Sequence, residues 1–72
     1  MTPQEYLIAT IDLDIYDLKN YRINLKRFAL FEIRKNNMFA KDYYRILEEV
    51  ERVSIEVDNL ETKRSEIFNL NN

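Results

Sequence analysis

The sequence predicts an all-α fold: an antiparallel, coiled-coil-like two-helix hairpin that pairs with a second copy into a four-helix bundle. Three observations carry that expectation. The chain has no glycine and one proline, Pro3, which removes phosphate-cradling loops, tight hairpins and most sheet architectures. Phe39, Tyr43, Ile46, Val50, Val53, Val57, Leu60, Arg64 and Ile67 recur at alternating spacings of 3 and 4, and eight of these nine are apolar. Only Ala40, Tyr44, Leu47 and Ile55 are apolar among the twenty residues between them, so the stripe marks a helix that packs on a partner helix. Finally, the pair Asn36 and Asn37 stands between this stretch and an earlier helical pattern, and asparagine both ends helices and caps new ones.

The elements follow in order within one domain, residues 1–72. Helix 1 is expected over about 3–35, with Thr2 as N-cap, Pro3 at the first helical position and Glu5 completing a capping box. Its seam reads Leu7, Ile11, Leu18, Tyr21, Leu25 and Phe28, interrupted by Asp14 and later by Glu32. Acids (Glu5, Asp12, Asp14, Asp17) come early and bases (Arg22, Lys26, Arg27, Arg34, Lys35) come late, which complements the helix dipole. A turn is expected over about 36–39 and helix 2 over about 40–70, with Glu48, Arg52 and Glu56 at four-residue spacing on its exposed side and a frayed tail at Asn69 to Asn72. The alternative is one continuous helix, because the 11-residue step from Glu32 to Tyr43 equals a heptad plus a four-residue stutter.

Asp14 and Arg64 are the charges well inside the two seams. Folding the hairpin so that partner numbers sum to 78 places Asp14 opposite Arg64 and sets Leu18, Tyr21, Leu25 and Phe28 on Leu60, Val57, Val53 and Val50. A tighter turn moves the sum to about 74 and leaves the ion pair diagonal. Asp14 and Arg64 are therefore read as a register pair, since a buried charge without its partner costs several kcal/mol.

Composition excludes most chemistry. Cysteine and histidine are both absent, so disulfides, thiolate or imidazole metal ligands, Cys or His nucleophiles and the usual general base are absent too. Asp12, Asp14 and Asp17 lie inside a helical pattern and lack the glycine turn and terminal glutamate of an EF-hand loop. No catalytic residue, metal or cofactor is expected, and a two-helix hairpin supplies no cleft for paired carboxylates. The formal net charge is −2, which gives no global field toward nucleic acid or anionic membrane. No apolar run approaches a membrane span, so the expectation is a cytoplasmic protein. The abundance of Ile, Asn and Tyr fits an AT-rich coding sequence of bacterial, plasmid or phage origin.

What remains is surface. Ala9, Tyr16, Ile23 and Leu30 recur every seven residues away from the main seam of helix 1, flanked by Tyr6, Leu13 and Phe31. A helix with two apolar faces needs two things to pack against. Tyr6, Leu13, Tyr16, Ile23, Leu30 and Phe31 are thus the expected partner or self-association face of a non-enzymatic adaptor, regulator or inhibitor that works as a homodimer or on another protein. Lys19, Arg22 and Lys26 form a second candidate, a ridge for nucleic acid; the architecture is similar to that of ROP-type hairpin dimers, which bind RNA, at the level of fold alone. A third expectation is a structural coiled-coil subunit of a larger assembly.

Overall fold

Thr2 has extended backbone at φ −74° and ψ 159°, and its hydroxyl accepts a hydrogen bond from the Glu5 N–H at 3.1 Å. With Pro3 at the first helical position, this cap starts α1, Pro3–Arg34. The computed structural model describes residues 1–35 and 39–70. The Lys35 N–H closes the end of α1 on the Phe31 carbonyl at 3.3 Å, and the Lys35 ammonium sits 4.0 Å from the centre of the Phe31 ring. Asn36 and Asn37, the expected break, lie outside the described residues, as do Asn71 and Asn72 of the expected tail.

The second helix, α2, spans Ala40–Asn69 and is capped by backbone alone. The Phe39 carbonyl accepts from the Asp42 and Tyr43 N–H groups at 3.0 and 3.2 Å, while the Phe39 side chain stays exposed. This corrects the expected seam at its first position, because a residue preceding the helix does not share its face. From Tyr43 onward the seam is as expected: Tyr43, Ile46, Val50, Val53, Val57, Leu60, Arg64 and Ile67 are all buried or half-buried. Val53 is completely buried.

On α1 the buried stripe is rotated relative to the expected one. Ile11, Leu18 and Leu25 face inward, but the second row of the seam is Ile8, Ile15, Arg22 and Ala29, and Leu7, Tyr21 and Phe28 are exposed. Both rows hold one charged residue, so apolar count does not choose between them; size and reach do. The first row would press Tyr21 and Phe28 onto a valine seam and bury Asp14, whose short side chain cannot reach water. The second offers compact Ile15 and Ala29, and Arg22 can lay its stem along the seam with its guanidinium at the edge.

The helices run antiparallel in a hairpin 52 Å long. Setting partner numbers to a sum of 75 brings seam onto seam in every layer: Ile8 with Ile67, Ile11 with Arg64, Ile15 with Leu60, Leu18 with Val57, Arg22 with Val53, Leu25 with Val50, and Ala29 with Ile46. The register therefore falls between the two expected values. Ile11, Ile15, Val53 and Val57 form the core cluster, with Leu18, Leu60 and Ile67 packed against it. At its open end the side-chain amide of Gln4 donates to the Ile67 carbonyl. A hairpin rather than one continuous helix is the fold of this chain.

Candidate interaction surface

Rotation of the α1 seam decides which side chains are left outside. At 3.6 residues per turn, the row through Leu13, Tyr16 and Ile23 lies about 150° around the helix from the buried stripe, while Leu30 at its end borders a groove shared with Ile46, Leu47 and Val50 of α2. Tyr6, Leu13, Tyr16, Ile23, Leu30 and Phe31 are all more than half exposed except Ile23, which is 43% exposed. The helix that supplies half of the core therefore also carries an apolar back.

The outward side of α2 has the opposite character. Glu48, Glu51, Arg52, Asp58 and Lys63 are exposed there, with Tyr44 and Ile55 as isolated apolar residues. Arg52 bridges Glu49 and Glu56, the latter at 3.1 Å, rather than the expected Glu48 and Glu56. Its guanidinium pKa is raised, first by the hydrogen bond to Glu49 and then by the charge of Glu49. One helix turns charge outward and the other turns hydrocarbon outward.

The expected register pair is half right. The Arg64 Nε donates to Asp12 Oδ1 at 2.5 Å, with Nη2 3.4 Å from Oδ2, so the partner is Asp12 and not Asp14. Asp14 belongs to the row that rotates out of the seam, and it lies exposed beside Asp17, Leu18, Glu56 and Leu60 in a shallow depression. Asp12 flanks Ile11, the residue that shares a layer with Arg64. Arg64 and Asp12 are both about half exposed, so the pair guides register by geometry more than by a large energy.

The nucleic-acid ridge is dispersed by the same rotation. Lys19 Nζ lies 3.0 Å from Glu61 Oε1 across the helix pair. Arg22 Nη1 donates to the Ser54 hydroxyl at 3.0 Å, and that hydroxyl donates to the Val50 carbonyl at 2.8 Å. Lys26 borders an apolar groove of about 230 Å³ with Ala29, Leu30, Tyr43, Ile46, Leu47 and Val50. Lys19 and Arg22 thus engage α2 instead of offering a row of cations to phosphates. Arg22 with Ser54 was not anticipated, and a serine flanking Val53 opposite the only arginine able to enter the α1 seam was the available signal.

Among the described residues no group of three or more carboxylate, imidazole or thiolate side chains is placed to hold a metal ion. Among the same residues no helix is long and apolar enough to cross a membrane. Fold and surface together define a small all-helical hairpin domain with one apolar outer face. Comparison of the chain with protein-family models, with curated proteins and with solved structures finds no match.

Proposed function

We propose that this protein is a non-enzymatic protein–protein interaction module, an adaptor, regulator or inhibitor, whose docking surface is the outer face of α1 and which associates with itself through that face. The observation that carries the reading is the contrast between the two outward faces. Tyr6, Leu13, Tyr16, Leu30 and Phe31 stand more than half exposed on one helix while the other presents charges. Exposed hydrocarbon repeated along one helix face supports an interaction site, and tyrosine and phenylalanine suit the centre of one. Binding would act by occlusion or assembly, with the charged edges of α1 as rim.

Sedimentation equilibrium on the whole chain at about 0.1 and about 1 M NaCl tests it, because apolar association tolerates salt whereas exposed charge contacts are screened. The expected result is self-association at both salt concentrations. A Leu13→Glu/Ile23→Glu variant, substituted only at exposed positions, should keep its helical circular dichroism and associate at least about tenfold more weakly, since each glutamate must be desolvated at the contact. Association that collapses with salt, or a variant that associates like the native chain, refutes the reading.

A further inference from the structure

We propose that the occupant of this face is a second copy lying antiparallel, α1 against α1, in the register where partner numbers sum to 36, with the two α2 helices outermost. The proposal rests on the reading of α1 as a docking face and adds to it the orientation, the register and the shape of the pair. Its starting point is that the exposed row is itself a heptad seam. Tyr6 is followed by Ala9, Leu13, Tyr16, Asn20, Ile23, Arg27 and Leu30 at alternating spacings of 3 and 4, which is the pattern of a helix built to receive another along its length.

Charge sets the direction. Four of the five acids of α1, Glu5, Asp12, Asp14 and Asp17, lie in its first half, and its bases Lys19, Arg22, Lys26, Arg27 and Arg34 lie in its second with the single acid Glu32, so the halves carry opposite net charge. A parallel pair would put Arg27 on Arg27, Asp12 beside Asp12 and Lys26 beside Lys26. An antiparallel pair sets acidic halves on basic halves in both directions, and it opposes the helix dipoles.

Register follows from the polar interruptions. At a sum of 36 every layer joins seam to seam: Tyr6 with Leu30, Ala9 with Arg27, Leu13 with Ile23, and Tyr16 with Asn20, each occurring twice about the two-fold axis. Arg27 then lies over the smallest residue of the seam, where its stem has room and its guanidinium reaches the edge. Asn20 meets the residue whose hydroxyl can bond it. On the flank, Asp12 of each copy comes beside Lys26 of the other, and the two Lys19 side chains approach near the axis, each neutralised by its own Glu61 at 3.0 Å. Because the row lies about 150° from the buried stripe, the four helices stand in a single row, α2, α1, α1, α2. A square bundle needs two contact faces about a quarter-turn apart, and the quarter-turn side of α1 that exposes Leu7, Tyr21 and Phe28 also carries Asp14 and Asp17.

Cysteine cross-linking tests orientation, since the chain has no cysteine of its own. Leu13→Cys and Ile23→Cys proteins are mixed in equal amounts, oxidised mildly, digested with trypsin and read by mass spectrometry, with light scattering and circular dichroism on the unoxidised mixture. The expected result is a dimer in which the disulfide between positions 13 and 23 exceeds the two like-with-like disulfides by about tenfold, because only the mixed pair falls within bonding reach. Like-with-like disulfides in excess would overturn the orientation while leaving self-association through this face intact. A folded monomer, or a dimer that forms neither disulfide, would overturn the second copy as occupant of the face. Failure of the broader reading looks different: the Leu13→Glu/Ile23→Glu variant would then dimerise as the native chain does.

Discussion

Alanine substitution at Ile15 and at Phe28 separates the observed packing of α1 from the one that heptad spacing suggests. Ile15 is 8% exposed in the core cluster, whereas Phe28 is 53% exposed on the row that rotates outward. Ile15→Ala removes three buried carbons, about 2.4 kcal/mol at about 0.8 kcal/mol each, and a cavity that the seam closes only in part raises the cost to about 3 kcal/mol. At about 4 to 8 °C per kcal/mol for a domain this small, the melting temperature falls by roughly 12 to 24 °C. Phe28→Ala removes more carbon, yet that carbon is half solvated already and alanine favours the helix, so the loss should stay within about 1 kcal/mol. Thermal unfolding followed by circular dichroism, at one protein concentration for all variants, reads both. If Phe28→Ala costs more than Ile15→Ala, the seam of α1 runs through Leu7, Tyr21 and Phe28 and the rotation described above is wrong.

Two further substitutions probe the polar contacts across the pair. Asp12→Asn should weaken the bond to Arg64 and destabilise by less than about 1 kcal/mol, an effect that shrinks in high salt, while Asp14→Asn leaves the stability within about 0.5 kcal/mol of the native value; equal losses at both positions would mean that Arg64 shares its partners. Arg22→Met removes a half-buried charge from the Val53 layer and keeps the stem, so chemical denaturation should show a neutral to stabilising change of up to about 2 kcal/mol. A clear destabilisation there would show that the bond from Arg22 to Ser54 outweighs its desolvation.

Much of this architecture is legible before any coordinates. The absence of glycine, the cap at Thr2 and Pro3, and the stripe from Tyr43 to Ile67 each point to helices of the observed type, because they depend on local geometry and on a single period. α2 has one apolar row and therefore one reading. α1 has apolar residues on most of its circumference, so its period supports several seams at once. The choice between the Leu7, Asp14, Tyr21, Phe28 row and the Ile8, Ile15, Arg22, Ala29 row rests on side-chain volume against a valine partner and on whether the interrupting charge can reach the edge. Those are properties of the contact between helices, and hydropathy along one of them does not contain them. The error then propagates in a definite way: once Asp14 leaves the seam, Arg64 turns to Asp12, the register falls at 75 between the expected sums of 78 and about 74, and Lys19 and Arg22 find partners on α2. Of the residues expected on the apolar back of α1, Leu13, Tyr16 and Ile23 lie away from both candidate rows, whereas Leu30 borders the groove against α2.

A single seam also bears on how the hairpin stays folded. Among the described residues the buried apolar ones are Ile11, Ile15, Ala29, Val50, Val53 and Val57, and so small a core seldom sustains a chain of this length without a staple or a second copy. Cysteine is absent, so no disulfide staples the hairpin, and the proposed pairing would couple association to folding. For a dimer that unfolds directly to two chains, an unfolding enthalpy near 0.7 kcal/mol per residue gives about 100 kcal/mol for the pair, and mass action then raises the melting temperature by about 5 °C for each tenfold increase in protein concentration. Differential scanning calorimetry over two decades of concentration should show that slope in the native chain. The Leu13→Glu/Ile23→Glu variant should melt lower and lose the slope, since its α1 back no longer joins the second copy. A native melting temperature that does not move with concentration would mean that one seam suffices, and that the exposed row of α1 plays no part in holding the fold.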